Sequence, residues 1–99
     1  MKIGILKEHK SGEKRVAIVP STVSALSKKG YEFFLVSDSG LLSNYSDNDY
    51  IEAGAKIVSQ NEVFDCDIIC KVNAPSDEEV SLLKSGTLFI SLLQTIKEI

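Results

Sequence analysis

The sequence predicts an open, mostly parallel three-layer α/β sandwich, and three observations predict it. Short apolar runs recur along the chain with helix signals between them, the rhythm of βαβ units. Ser46, Ser59 and Ser76 each precede an acidic residue at the spacing of a capping box, so three helix starts are marked. The run Ile68-Ile69-Cys70-Lys71-Val72 is near-continuously apolar except for one lysine, as expected of a strand covered on both faces by helices.

Taken in order, Lys2 to Leu6 alternates and ends apolar, a first strand. Glu8 to Lys14 is a polar loop with Gly12 as its turn residue. Arg15 to Val19 is a second short apolar run that delivers Pro20 to the first helical position, where a missing N–H is harmless. Val23, Ala25 and Leu26 give that helix its apolar side, Lys28 and Lys29 suit its negative end, and Gly30 closes it. Tyr31 to Val36 is the next strand, and a helix between two strands implies a right-handed crossover in a parallel sheet.

Ser37 to Tyr45 has no period and reads as a long loop. Ser46 then caps a helix that Gly54 ends. Its first-turn acids, Asp47 and Asp49, complement the helix dipole and are not read as metal or catalytic groups. Lys56 to Val58 is a short strand, Ser59 opens a brief helix, and the strand running from Asp67 follows. Ser76 caps a fourth helix with Asp77, Glu78 and Glu79 in its first turn and Val80, Leu82 and Leu83 as its buried stripe. Thr87 to Leu93 is the last strand. The architecture is of the flavodoxin-like or Rossmann-like kind, without a glycine-rich dinucleotide loop.

Ninety-nine residues with 43% apolar and 25% charged content suit one globular domain with a modest core. A net charge of −3 argues against nucleic acid and anionic membranes as partners, because both need clustered positive charge. The apolar runs fall far short of a membrane span, and Met1 to Glu8 breaks into charge too early for a secretion signal, so a cytoplasmic location is expected. Cys66 and Cys70 fall in one expected strand. Their α-carbons should then lie roughly 13 Å apart, too far to bridge, and both read as core thiols.

Catalytic signatures are missing: there is no G-x-G-x-x-G, no Walker loop, no Gly-x-Ser-x-Gly elbow and no His-Glu-x-x-His helix. His9 is the only histidine and has no partner at ligand spacing, so it reads as a surface residue. Lys7, Lys10, Lys14 and Arg15 outnumber Glu8 and Glu13, which makes the first loop locally positive and reads as a solvated surface. Two cations remain, Arg15 and Lys71, each at the end of an apolar run. For Lys71 two readings stay open: it snorkels to water at the strand end, or it serves as an anion or carbonyl ligand where open α/β sheets collect them.

Met1 to Glu8 (Met-Lys-Ile-Gly-Ile-Leu-Lys-Glu), Gly12 to Ala17, Ser39-Gly40, the segment around Tyr50 to Val58, and Lys71-Val72-Asn73-Ala74-Pro75 together resemble the N-terminal domain of the alanine dehydrogenase and pyridine nucleotide transhydrogenase family. The resemblance runs along nearly the whole chain. Its Lys-Val-Asn-Ala-Pro form is similar to the transhydrogenase alpha subunit, since alanine dehydrogenases more often carry a second charged pair there. The resemblance implies that Arg15 and Lys71 are substrate-binding, as the positions that hold a carboxylate and a carbonyl in the alanine dehydrogenase branch. The chemistry agrees, because an arginine fork grips a carboxylate through two bonds and a lysine polarises a carbonyl. The family's catalytic histidine would fall near Leu93 or Gln94, neither of which is histidine, and this counts against an alanine dehydrogenase. Val19 stands where the family usually has a capping threonine.

Family members continue into a Rossmann domain that holds NAD and then return to complete the first domain. Residues 1–99 are therefore expected to form a single, incomplete N-terminal domain, an excised fragment or a truncated product. The implied function is that of the N-terminal part of a transhydrogenase alpha subunit, inactive alone, whose full form passes a hydride between NAD(H) and NADP(H) coupled to proton translocation. Those nucleotides are the cofactors of the full-length family, with none expected to bind this stretch tightly. The implied partners are the remainder of the alpha subunit or other transhydrogenase subunits, which would hold a cytoplasmic domain at the inner face of a membrane without inserting it. Apolar surface on an unfinished last strand also implies a homo-oligomer. The alternatives are the N-terminal domain of an alanine dehydrogenase and a non-catalytic α/β module that pairs across an open sheet edge. If the site reading holds, Arg15 and Lys71 are expected to face a common pocket, with a carboxylate, an anion or water between them.

Overall fold

The computed structural model describes residues 1–8, 13–73 and 75–91. Within them, β1 (Lys2–Ile5), β2 (Glu32–Val36), β3 (Lys56–Val58), β4 (Ile68–Lys71) and β5 (Leu88–Ser91) line up in the order β3-β2-β1-β4-β5. Every pairing is parallel. The helices are α1 (Pro20–Ser27), α2 (Asp47–Ala53), α3 (Gln60–Val63) and α4 (Asp77–Leu82), with one turn of 3₁₀ helix at Leu41–Ser43 inside the expected loop.

Handedness places the helices. The chain steps from β1 to β2 to β3 in one direction across the sheet, then returns past β1 to β4 and β5 in the other. Right-handed crossovers in opposite directions put their helices on opposite faces. Accordingly Ile3, Ile5, Phe33, Leu35 and Cys70 meet Val23 of α1 and Tyr50 of α2 in one core. Ile69 meets Leu6, Val63, Phe64 and Cys66 in the other, with Leu83 and Phe89 packed against it. β1 lies at the centre and allows no side chain at Gly4, where an added Cβ would come 2.7 Å from Val63 Cγ1 and 3.0 Å from the Val63 carbonyl oxygen. The glycine is what lets α3 sit directly on the strand.

All three expected capping boxes form. Ser46, Ser59 and Ser76 accept from the backbone N–H of Asp49, Glu62 and Glu79, and those side chains reach back to the cap N–H groups. At α1 the cap position is Val19, in extended backbone with Pro20 following and no side-chain bond to the helix.

Three expectations need correction. Val80 and Leu82 of α4 are 50% and 40% exposed and form no buried stripe: the short helix buries Glu79 instead and leaves Leu83 half-buried. The run Arg15 to Val19 forms no strand: it is irregular chain that buries Val16 in the first core and leaves Arg15 outside. Cys66 does not share a strand with Cys70 either. It lies in the bend before β4, so its side chain enters the second core while Cys70 enters the first. Both are free and buried, and burial pushes both thiols up, Cys66 to about 11.

The α1/α2 face is covered over β3, β2 and β1 but not over β5, where Leu88 is 56% and Ile90 41% exposed. No helix among the described residues is long and apolar enough to cross a membrane. The expected turn at Gly12, surface position of His9, and extension of the last strand to Leu93 lie outside the described residues.

Candidate functional site

The reversal of direction falls between β1 and β4. Adjacent strands that send their chains to opposite faces leave a crevice beyond their carboxyl ends, and ligands bind there in open α/β sheets. In this chain the switch point is where Leu6-Lys7-Glu8 leaves β1 and Lys71-Val72-Asn73 leaves β4.

Glu8 joins the two exits. Its carboxylate accepts from the backbone N–H of Val72 at 2.8 Å and of Asn73 at 3.2 Å. The Asn73 side-chain amide adds a bond to Glu8 at 3.3 Å and another to Glu13 Oε1 at 3.0 Å. Bonds donated to charged acceptors of this kind are the stronger class, and here they close the end of β4 where its ladder stops.

Glu13 in turn holds Arg15. Arg15 Nε donates to Glu13 Oε2 at 2.9 Å and Nη2 to Oε1 at 3.1 Å, a two-bond fork, while the Arg15 backbone N–H adds a third bond at 3.0 Å. The Arg15 side-chain bonds, then its backbone N–H, hold the Glu13 carboxyl at about 2, against the smaller opposing effect of burial. Glu13 is 7% exposed and Arg15 62%, so the pair sits at the rim with its acid inward. The Ser43 hydroxyl, from the 3₁₀ turn, donates to the Lys14 carbonyl and ties this segment to the chain beyond β2.

Lys71, the last residue of β4, is 4% exposed. It does not snorkel to water. Its ammonium lies 2.6 Å from Glu79 Oε1, with both side chains 5% exposed. Glu79 is the third residue of α4, and the same Oε1 accepts from the Ser76 backbone N–H at 2.9 Å, so one oxygen closes the capping box and receives the lysine. Burial pushes the Glu79 carboxyl up, but the bonds from Lys71 and Ser76 outweigh it and the net shift is downward. The other oxygen, Oε2, is buried and has no hydrogen-bond partner among the described residues.

Arg15 and Lys71 thus both belong to the carboxyl edge of the sheet, each on a carboxylate of its own. Arg15 reaches β4 through Glu13 and Asn73; Lys71 turns toward the start of α4. The three acids, Glu8, Glu13 and Glu79, are the site residues that sequence reasoning missed. The signal was available for Glu79, because a lysine in an otherwise apolar strand requires a counter-charge. The position near Leu93 and Gln94 lies outside the described residues. Among the described residues no group of three or more His, Cys, Asp or Glu side chains is placed to hold a metal ion. A cleft of about 130 Å³ lined by Lys2, Phe34, Glu62, Asp65 and Cys66 opens elsewhere, beside the amino ends of β1 and β4 and away from the crevice.

A parallel sheet wound in both directions from β1, with charged side chains at its switch point, places the chain in the open α/β class, in which ligands bind outside the carboxyl ends of the strands. Residues 4–98 match the family model described as alanine dehydrogenase/PNT, N-terminal domain, and the chain belongs to that family. It is 40% identical over 93 residues, 94% of its length, to NAD(P) transhydrogenase subunit alpha of Haemophilus influenzae, of which it covers 18%. It is 42% identical over 99 residues to alanine dehydrogenase of Staphylococcus haemolyticus, of which it covers 26%. Among solved structures, the transhydrogenase from Sinorhizobium meliloti superposes with a TM-score of 0.87 at 32% identity, over 92% of this chain and 27% of that one. An L-alanine dehydrogenase gives the same TM-score and identity over 99% of this chain and 28% of that one. The chain therefore spans about a quarter or less of the relatives it matches.

Proposed function

We propose that this chain is the N-terminal part of an NAD(P) transhydrogenase alpha subunit, whose full form passes a hydride between NAD(H) and NADP(H) coupled to proton translocation. Its domain is completed by the remainder of that subunit, and the nicotinamide cleft opens on the switch point between β1 and β4. The observation that carries the choice of branch is the bridging amide of Asn73, which donates to Glu8 and Glu13 together. An asparagine in the Lys71-Val72-Asn73 segment is the transhydrogenase-like form, and here its neutral donors are what two adjacent carboxylates require. Arg15 and Lys71 are the proposed ligand-binding cations of the cleft. The exposed apolar side chains of β5 support association with the rest of the subunit, with other subunits or with a second copy.

A second reading, the N-terminal domain of an alanine dehydrogenase, is favoured by the Arg15–Glu13 fork. Its two-bond geometry is the one a substrate carboxylate would use in place of Glu13. The full protein decides between them. Hydride transfer from NADH to an oxidised NADP analogue, with no alanine-dependent reduction of NAD, is the expected result. The reverse pattern would assign the chain to the second branch, and neither activity would sink both. Lys71→Ala in the full protein should impair hydride transfer; an unchanged rate with lower stability would make the lysine structural.

A further inference from the structure

The buried pair Lys71–Glu79 carries an inference that rests on reading Lys71 as a ligand-facing cation. We propose that Glu79 is a positioning residue. From the first turn of α4 it aims the Lys71 ammonium at the crevice and leaves part of its donor capacity for an oxygen acceptor on a bound ligand, a carbonyl or a carboxylate.

The geometry separates this pair from an ordinary ion pair. Glu79 cannot swing freely, because Oε1 accepts from the Ser76 N–H at 2.9 Å while the Glu79 N–H donates to Ser76 Oγ at 3.1 Å. Its rotamer is therefore set by the start of the helix. Lys71 is held in turn by the strand at one end and by Oε1 at the other, 2.6 Å away. An ammonium has three donors, and among the described residues one is used. Among the described residues the facing carboxylate uses only Oε1, and Oε2 is buried without a partner. A pair present only for stability is expected to saturate its buried polar atoms. The other acids near this end of β4 are already committed: Glu8 to the Val72 and Asn73 N–H groups, Glu13 to Arg15 and Asn73. Glu79 alone among them touches the lysine.

The experiment is a double-mutant cycle in the full protein, read as kcat/KM for hydride transfer and as thermal stability. Glu79→Ala is expected to lower kcat/KM about tenfold or more, and Lys71→Met likewise. Glu79→Gln should recover part of the loss, because an amide oxygen can still accept from Ser76 and Lys71. The double variant Lys71→Met/Glu79→Gln leaves no unpaired buried charge, which protects folding, and its kcat/KM should be no lower than that of Lys71→Met alone. If Lys71→Met lowers kcat/KM while both Glu79 variants lose only stability, the positioning role is overturned. If the double variant is much worse than Lys71→Met, Glu79 acts by another route and the proposal fails equally. If Lys71→Met leaves kcat/KM unchanged, the reading of the cleft beneath the proposal is what has failed.

Discussion

Tyr50 donates its phenolic hydroxyl to the Ile18 carbonyl at 2.8 Å, a bond spanning 32 residues that fastens α2 to the irregular segment leading into α1. The ring is fully buried, with Tyr45 edge-on at 6.3 Å. Tyr50→Phe keeps the packing and removes the bond, so it should destabilise the fold by about 1 kcal/mol. Burial pushes the Tyr50 hydroxyl up to about 12 from an ordinary 10, with Tyr45 and Asp49 adding to the rise. A group whose folded value is raised contributes stability in full below its unfolded value. That contribution is lost as pH climbs from 10 to about 12. Urea titrations of the two proteins across that interval should show the phenylalanine variant lacking this part of the alkaline loss.

Val19 occupies a cap position without a capping atom, at φ −91° and ψ 160°, the backbone that a capping residue adopts. Val19→Thr replaces a methyl with a hydroxyl of the same shape. It should raise stability by about 1 kcal/mol, visible as a higher urea midpoint with an unchanged slope. A lower midpoint would show that the apolar contacts of the half-buried valine outweigh the cap.

Glu13 titrates at about 2 when folded against an ordinary 4.5. Its folded value is depressed, so the linked stability is present above 4.5 and lost as pH falls from there toward 2. Because Arg15 is mostly solvent-exposed the effect on stability is screened, and the carboxyl itself is the better probe. Carbon-detected NMR should follow the Glu13 carboxyl to a midpoint near 2, and Arg15→Met should move that midpoint upward. An unmoved midpoint would place the cause elsewhere.

Gly4→Ala should destabilise by about 1–3 kcal/mol, since the new methyl meets both a side chain and a backbone carbonyl of α3. Adding Val63→Ala relieves the contact with Val63 Cγ1 but not the 3.0 Å approach to the Val63 oxygen. Recovery in the double variant, measured by chemical denaturation, should be partial at most.

The strands and helix starts were legible because their signals are local. The capping serines Ser46, Ser59 and Ser76 lie three residues from their partners, and each helix begins where they say. The site was legible only in its cations. Arg15 and Lys71 stand out against apolar neighbours, whereas Glu8, Glu13 and Glu79 sit among other charges and look like surface. What gives Glu8 its role is a set of bonds to Val72 and Asn73, more than sixty residues on. Glu79 reads in the sequence as a dipole complement in a first turn, which it is, and the lysine it also holds is visible only once β4 is laid beside α4. Cys66 was misplaced for a similar reason: the apolar run does not announce that the bend extends past it.

The central position of β1 has a consequence during biosynthesis. One edge of the strand is satisfied by β2, but the other waits for β4, and the Lys2 N–H bonded to Asp67 closes a separation of 65 residues. On a growing chain, β1, α1 and β2 can pair while β4 is still unmade. Over that interval the open edge of β1 offers its unpaired N–H and C=O groups to any extended peptide nearby. Translation speed between residues 36 and 71, and chaperones that shield strand edges, should therefore influence the yield of native protein.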